Sequence, residues 1–168
     1  EEFVKAQGTP KLYNVGDSFE MGKIVENPFK EGVPSVEKAQ EINKYLQANK
    51  DKYKPKYIKF YHGTAKGLPI EEKGLLPTSA TRRKSYQSES GYIYLANTPE
   101  RAKTFGDLGN MSNSEVYEVV VPVNKLLPDL DQLNNIRSTG EKVGNTLGDS
   151  IVYGGGVRIK GKIEPYAV

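Results

Sequence analysis

Lys56-Tyr57-Ile58-Lys59-Phe60-Tyr61-His62-Gly63-Thr64 is the stretch whose reading decides the fold. Through Tyr61 it alternates lysine with Tyr57-Ile58 and Phe60-Tyr61, which predicts a strand. It delivers His62, the only histidine of the chain, to the strand's end. Some thirty residues on, Gly91-Tyr92-Ile93-Tyr94-Leu95-Ala96 predicts a second short strand. A helix start follows directly: Thr98 is a good N-cap and Pro99 suits the first helical position. Ala102 and Phe105 then share the inner face of that helix, and Gly106 is expected to end it. Phe105 stands eleven positions after Tyr94. Val116 to Val123, β-branched and apolar, reads as the strongest strand. Val157 to Ile163 alternates and reads as a closing strand with one wet face. Together these signals predict a mixed α+β domain with a split antiparallel sheet and few short helices.

Outward from that core the signals are weaker. Residues 1–34 are rich in Gly and Pro and read as extended segments and turns, with Phe19, Met21, Ile24 and Val25 forming a short covering strand. Residues 35–50 read as a helix capped by Ser35, with Val36, Ala39, Ile42, Tyr45 and Leu46 on one face. Pro69 opens a short helix over residues 70–73 that Gly74 stops. Residues 77–91 and 137–149 read as loops, and Gly154-Gly155-Gly156 as a turn or bulge. We therefore expect an N-terminal extension over residues 1–55, its one helix packing on the core, and a catalytic domain over residues 56–168.

Composition narrows the chemistry. The 168 residues are 36% hydrophobic and 27% charged, with 11 Tyr, 5 Phe and no Trp. Tyrosine buries a ring while keeping a polar tip, so it serves clefts as well as cores. With no cysteine, disulfides, thiolate catalysis and thiolate metal sites are excluded. One histidine speaks against a histidine-based zinc site, and no acidic loop has calcium-binding spacing. No metal is expected. No stretch approaches the ~20 apolar residues that span a bilayer, and no signal-peptide pattern is visible. The expectation is a monomer without a membrane segment, cytoplasmic or delivered into a target cell's cytosol. The net charge of +3 is mild. The Arg82-Arg83-Lys84 cluster reads as a solvated loop ahead of a pyrophosphate clamp.

A strand ending in His-Gly-Thr, followed by two spaced aromatics, suits one chemistry well. Cleaving nicotinamide from NAD⁺ builds positive charge on a ribose carbon, much as glycoside cleavage does. The imidazole can hold a ribose hydroxyl. Gly63 lets its backbone pair with the carboxamide, and Thr64 adds a hydroxyl. Two rings can sandwich the pyridinium through stacking and cation–π attraction.

The arrangement resembles the poly(ADP-ribose)-polymerase and diphtheria-toxin class of ADP-ribosyltransferases, named for a His–Tyr–Glu triad. The resemblance covers roughly residues 56–163. It rests on Tyr61-His62-Gly63-Thr64, on the Tyr94-Leu95-Ala96 strand, on Phe105 eleven positions later, and on a helix and Gly-Leu turn within 66–77. It implies NAD⁺ as substrate and His62, Tyr94 and Glu164 as the catalytic set. Tyr61, His62, Gly63, Thr64, Arg82, Tyr94, Ala96 and Phe105 would hold the NAD⁺. The third member departs from the pattern: after Ile151-Val152-Tyr153, Gly155 stands where the glutamate belongs. Glu164 is the nearby carboxylate at the far end of that strand, and Asp149 is a further candidate. Chain elongation is therefore not expected. The expected activity is single transfer of ADP-ribose to a protein or nucleic-acid acceptor. Two alternatives are an RNA 2′-phosphotransferase-like enzyme, whose family needs a second histidine, and a catalytically inactive NAD⁺- or ADP-ribose-binding module.

Overall fold

The computed structural model describes residues 23–51, 53–68, 70–75, 91–110 and 113–163. Strand β1 spans Lys23–Val25, β2 Lys56–Ala65, β3 Tyr92–Ala96, β4 Ser114–Pro122, β5 Leu127–Pro128 and β6 Gly156–Lys160. Helix α1 spans Val36–Ala48, α2 Ile70–Lys73, α3 Pro99–Asn110, α4 Leu130–Arg137 and α5 Leu147–Asp149. The architecture is α+β, as the patterning predicts. No helix among the described residues is long and apolar enough to cross a membrane.

The sheet runs β1-β2-β3-β6-β5, with β4 on the other side of β2. β4 pairs antiparallel with residues 57–65 of β2, from Tyr57↔Pro122 to Ala65↔Ser114. On the opposite edge of β2, β1 pairs with residues 56–58 and does so in parallel. The sheet is therefore mixed, where the sequence predicts an antiparallel one. Further along that edge, β3 joins β2 at the single pair Tyr61↔Ala96. Beyond it the ladder between the two strands stops. β3 continues into a full antiparallel ladder with β6.

Strand alternation sorts the side chains into two faces. One face carries Ile58 and Phe60 of β2, Ile93 and Leu95 of β3, Val119 and Val121 of β4, and Val157 and Ile159 of β6, all in the main core. α1 covers this face with Ile42 and Leu46. Ser35 caps α1 by accepting from the Lys38 N–H at 3.1 Å, as the sequence predicts. Val36, expected on the inner face, is instead 55% exposed. Complete burial of a side chain such as Leu46 contributes roughly 1.5–3 kcal/mol.

The other face is covered by α3. Ala96, Ala102 and Val116 form a second small core, with Tyr61 and Phe105 packed against it. The approach is close enough that a Cβ on Gly63 would collide with the Ala102 carbonyl. A Cβ on Gly106 would lie 3.0 Å from the Gly63 Cα. Gly106 is thus selected by this contact and does not end the helix, which runs on to Asn110. Lys103 ties α3 to β4 through the Ser114 carbonyl at 2.6 Å and pairs with Asp107 at 3.0 Å.

Candidate functional site

β2 extends to Ala65, so the imidazole lies within the strand rather than at its tip. Its Nδ1 is 2.7 Å from the Tyr94 carbonyl. A carbonyl only accepts, so Nδ1 carries the proton and, in the neutral ring, Nε2 is left as an acceptor. This bond bridges β2 and β3 just past Tyr61↔Ala96, where their ladder has ended.

Tyr94 faces the other way from the core. It lies opposite Arg158 on β6. Its hydroxyl donates to Asp131 in the first turn of α4 and accepts from Arg158 Nη1 at 3.3 Å. Arg158 is only 4% exposed. It pairs with Asp131 at 3.6 Å, and its guanidinium lies 3.9 Å from the centroid of the Tyr92 ring. A buried guanidinium needs such compensation, since an isolated buried charge is costly. The reading of β6 as half wet fails here: Gly156 through Ile159 are all buried.

Phe105 sits on α3, half-buried beside Tyr61. The Arg101 guanidinium lies 6.0 Å from its ring centroid. The same Arg101 borders Gly155, where a Cβ would stand 2.5 Å from the arginine Cδ. Gly155 has φ +83 and follows the π-helical turn Ser150–Gly154. That left-handed backbone favours glycine over glutamate. The position at which the resemblance would place a glutamate is therefore bordered by a cation, Arg101. The carboxylate of Asp149, the further candidate, accepts from the Thr146 N–H and hydroxyl, closing a capping box at α5.

Alternation puts Tyr61, Gly63, Tyr94, Ala96 and Arg158 on the face that α3 covers. His62 is on the core side and meets them through the Tyr94 carbonyl. Thr64 is buried at 8% exposure and pairs with Glu115. Glu164 and Arg82 lie outside the described residues.

Sequence reading missed Asp131, Arg158 and Arg101. The signal for Asp131 was the helix start Asp129-Leu130-Asp131. Asp129 is the N-cap, accepting from the Gln132 N–H at 3.1 Å. Burial pushes its carboxyl up to about 6, helped by the nearby Asp131 charge and opposed by the Gln132 bond and Arg158. Arg158 gave no signal, because alternation separates two faces without saying which one is covered. Among the described residues no group of three His, Asp or Glu side chains is placed to hold a metal ion. Searches against family models, curated proteins and solved structures returned no match.

Proposed function

We propose that this chain is a mono-ADP-ribosyltransferase with an ADP-ribosyltransferase-like fold. NAD⁺ is its substrate, and a protein or nucleic acid is the acceptor. The observation that carries this reading is the 2.7 Å contact between His62 Nδ1 and the Tyr94 carbonyl. It joins the two strands named by the motif and fixes the tautomer of the imidazole, with the proton on Nδ1. α3 brings Phe105 to the same face as Tyr94, with Tyr61 and Ala96 beside it.

In the reaction the bond between ribose C1′ and the nicotinamide nitrogen breaks, and its electron pair leaves with nicotinamide. The acceptor's nucleophilic atom adds to C1′ and sheds its proton. His62 holds the ribose hydroxyl and so fixes the angle of C1′. Tyr94 and Phe105 hold the pyridinium by stacking, while the Asp131–Arg158 pair fixes the Tyr94 ring through its hydroxyl.

A second reading, a module that binds NAD⁺ without cleaving it, is favoured by Gly155 and Arg101. A glycine stands there in place of a carboxylate, and the Arg101 guanidinium borders it. One experiment separates the two. The protein is incubated with NAD⁺ labelled on the adenylate phosphate and with a cell lysate, later split into protein and nucleic-acid fractions. Free nicotinamide is measured in parallel. Label in one fraction, matched by nicotinamide, supports transfer. Binding without nicotinamide selects the module. Neither binding nor release overturns both readings.

A further inference from the structure

We propose that a cavity between β1, β2 and the Asn97-Thr98 turn docks an arginine side chain of a protein partner. The cavity has a volume of about 530 Å³, within the range of small-molecule sites. Its frame is built from side-chain bonds to backbone. Asn27 Nδ2 donates to the Lys59 carbonyl at 3.1 Å, and Asn27 Oδ1 accepts from the Phe29 N–H at 2.9 Å. The Tyr45 hydroxyl donates to the Glu26 carbonyl at 2.8 Å. These bonds hold residues 26–29 against β2, so the opening is formed before a partner arrives.

Charge selects a cation. Glu26 and Glu31 both line the cavity and are exposed. Among the described residues neither carboxylate takes a hydrogen bond or an ion pair. Lys59, the one cation among the lining residues, is paired with Glu118 at 3.3 Å. The lining thus keeps a negative excess, although the whole chain carries a net charge of +3. Attraction of a cation here is local, because the overall field opposes it. A phosphate would meet the two carboxylates, so a nucleic acid is disfavoured as the occupant.

The walls select a guanidinium over an ammonium. Phe29 packs against the main core and Tyr61 against the small core under α3. Packing holds each half-buried ring, and both line the cavity. A guanidinium is flat, stacks on an aromatic face and gives a carboxylate two parallel N–H bonds. An ammonium is a strongly hydrated point charge without a face to stack. Ile24, 41% exposed, and the two exposed glutamates leave the mouth open to solvent, as a side chain arriving on another protein requires. Tyr61 also packs beside Phe105, so the cavity adjoins the candidate site. In the transferase proposed above the docked protein is the acceptor; that consequence rests on the transferase reading, and the docking does not.

NMR titration of the full chain without NAD⁺ tests this, using a blocked peptide with arginine between two glycines. Citrulline and lysine peptides serve as comparisons; citrulline keeps the shape of arginine and lacks its charge. The arginine peptide is expected to bind at least tenfold more tightly than the citrulline peptide and at least threefold more tightly than the lysine peptide. Glu26→Gln and Glu31→Gln should each weaken it at least threefold. Glu141→Gln, at an exposed position in the loop after α4, should leave it unchanged. Phe29→Leu, which keeps apolar bulk and removes the ring, should also weaken it at least threefold. Should that variant fail to fold, the peptide comparison and the glutamate variants still decide. Arginine bound no more tightly than citrulline or lysine, no binding at millimolar peptide, a loss in Glu141→Gln equal to that in Glu26→Gln and Glu31→Gln, or displacement of the peptide by single-stranded DNA would each overturn the proposal. Nicotinamide release is a separate measurement, so the docking and the transferase reading can fail independently.

Discussion

Asp129 and Tyr94 show how single residues here serve two demands at once. Asp129 caps α4 with a carboxylate that burial pushes up to about 6. Its ordinary value is 3.8, so between those values the folded chain holds the proton more tightly than the unfolded one. Stability from this group is greatest below its unfolded value and declines as pH rises through about 6, because folding must then bury the charge. Asp129→Asn keeps an acceptor for the Gln132 N–H and removes the charge. We expect it to stabilise the protein by roughly 1–3 kcal/mol at pH 7.5 and by much less at pH 4.5. Urea unfolding at the two pH values measures this, and an equal gain at both would refute the assignment. Tyr94 divides differently, into a ring and a hydroxyl. Tyr94→Phe removes the group between Asp131 and Arg158 and should cost roughly 1–3 kcal/mol of stability, while NAD⁺ affinity stays within about threefold because the stacking ring remains. Tyr94→Ala should lose NAD⁺ affinity at least tenfold, as the base–aromatic stacking term is roughly 1–3 kcal/mol. If Tyr94→Phe loses as much as Tyr94→Ala, the hydroxyl and not the ring makes the contact.

At the scale of elements, the decisive contact is α3 on β2. Gly63 and Gly106 approach each other because neither has a Cβ, and the Ala102 carbonyl fills the space over Gly63. Gly63→Ala must therefore lift the helix or bend the strand. Overpacking of this kind costs roughly 1–3 kcal/mol, or more where backbone must move. Since α3 carries Phe105 and Arg101, the same substitution should also lower nicotinamide release at least tenfold. Thermal unfolding and the release assay check the two effects together; a variant of unchanged stability would mean the helix is not seated on the glycine. Much of this element-level order was legible. The alternation in Lys56–Tyr61, the Thr98-Pro99 start and the β-branched run near Val119 each give a local period or cap, and each forms the element expected. What was not legible depended on a distant partner. Gly106 reads locally as a helix stop, and only the approach of Gly63 from another strand explains why the helix continues. Arg158 reads as solvated because its period is right and its cover, Tyr92 with Asp131 of α4, comes from elsewhere in the chain.

For the whole molecule, the question is how far residues before β2 belong to the fold that presents His62. The sequence gives α1 a clear amphipathic face, but its destination rests on pairings far away in the chain. Asn43 Oδ1 accepts from the Gly148 N–H at 2.7 Å, and its Nδ2 donates to the Thr146 hydroxyl at 3.0 Å. A Cβ on Gly148 would strike the Ala39 carbonyl, so α1 and α5 meet backbone to backbone. Ile42 and Leu46 share the core with Ile58 and Phe60 of β2, the strand that carries His62 two positions later. β1 adds a parallel partner to that same strand. A helix so placed stabilises the sheet from its core side. Leu46→Ala should then cost about 2–5 kcal/mol, the range for a fully buried leucine. It should also leave NAD⁺ affinity unchanged under conditions where the variant stays folded. A fragment starting at residue 56 loses that cover and should unfold without a cooperative transition. If Leu46→Ala costs under about 1 kcal/mol, or the fragment unfolds cooperatively, the N-terminal third is an appendage and β2 is held by its sheet neighbours alone.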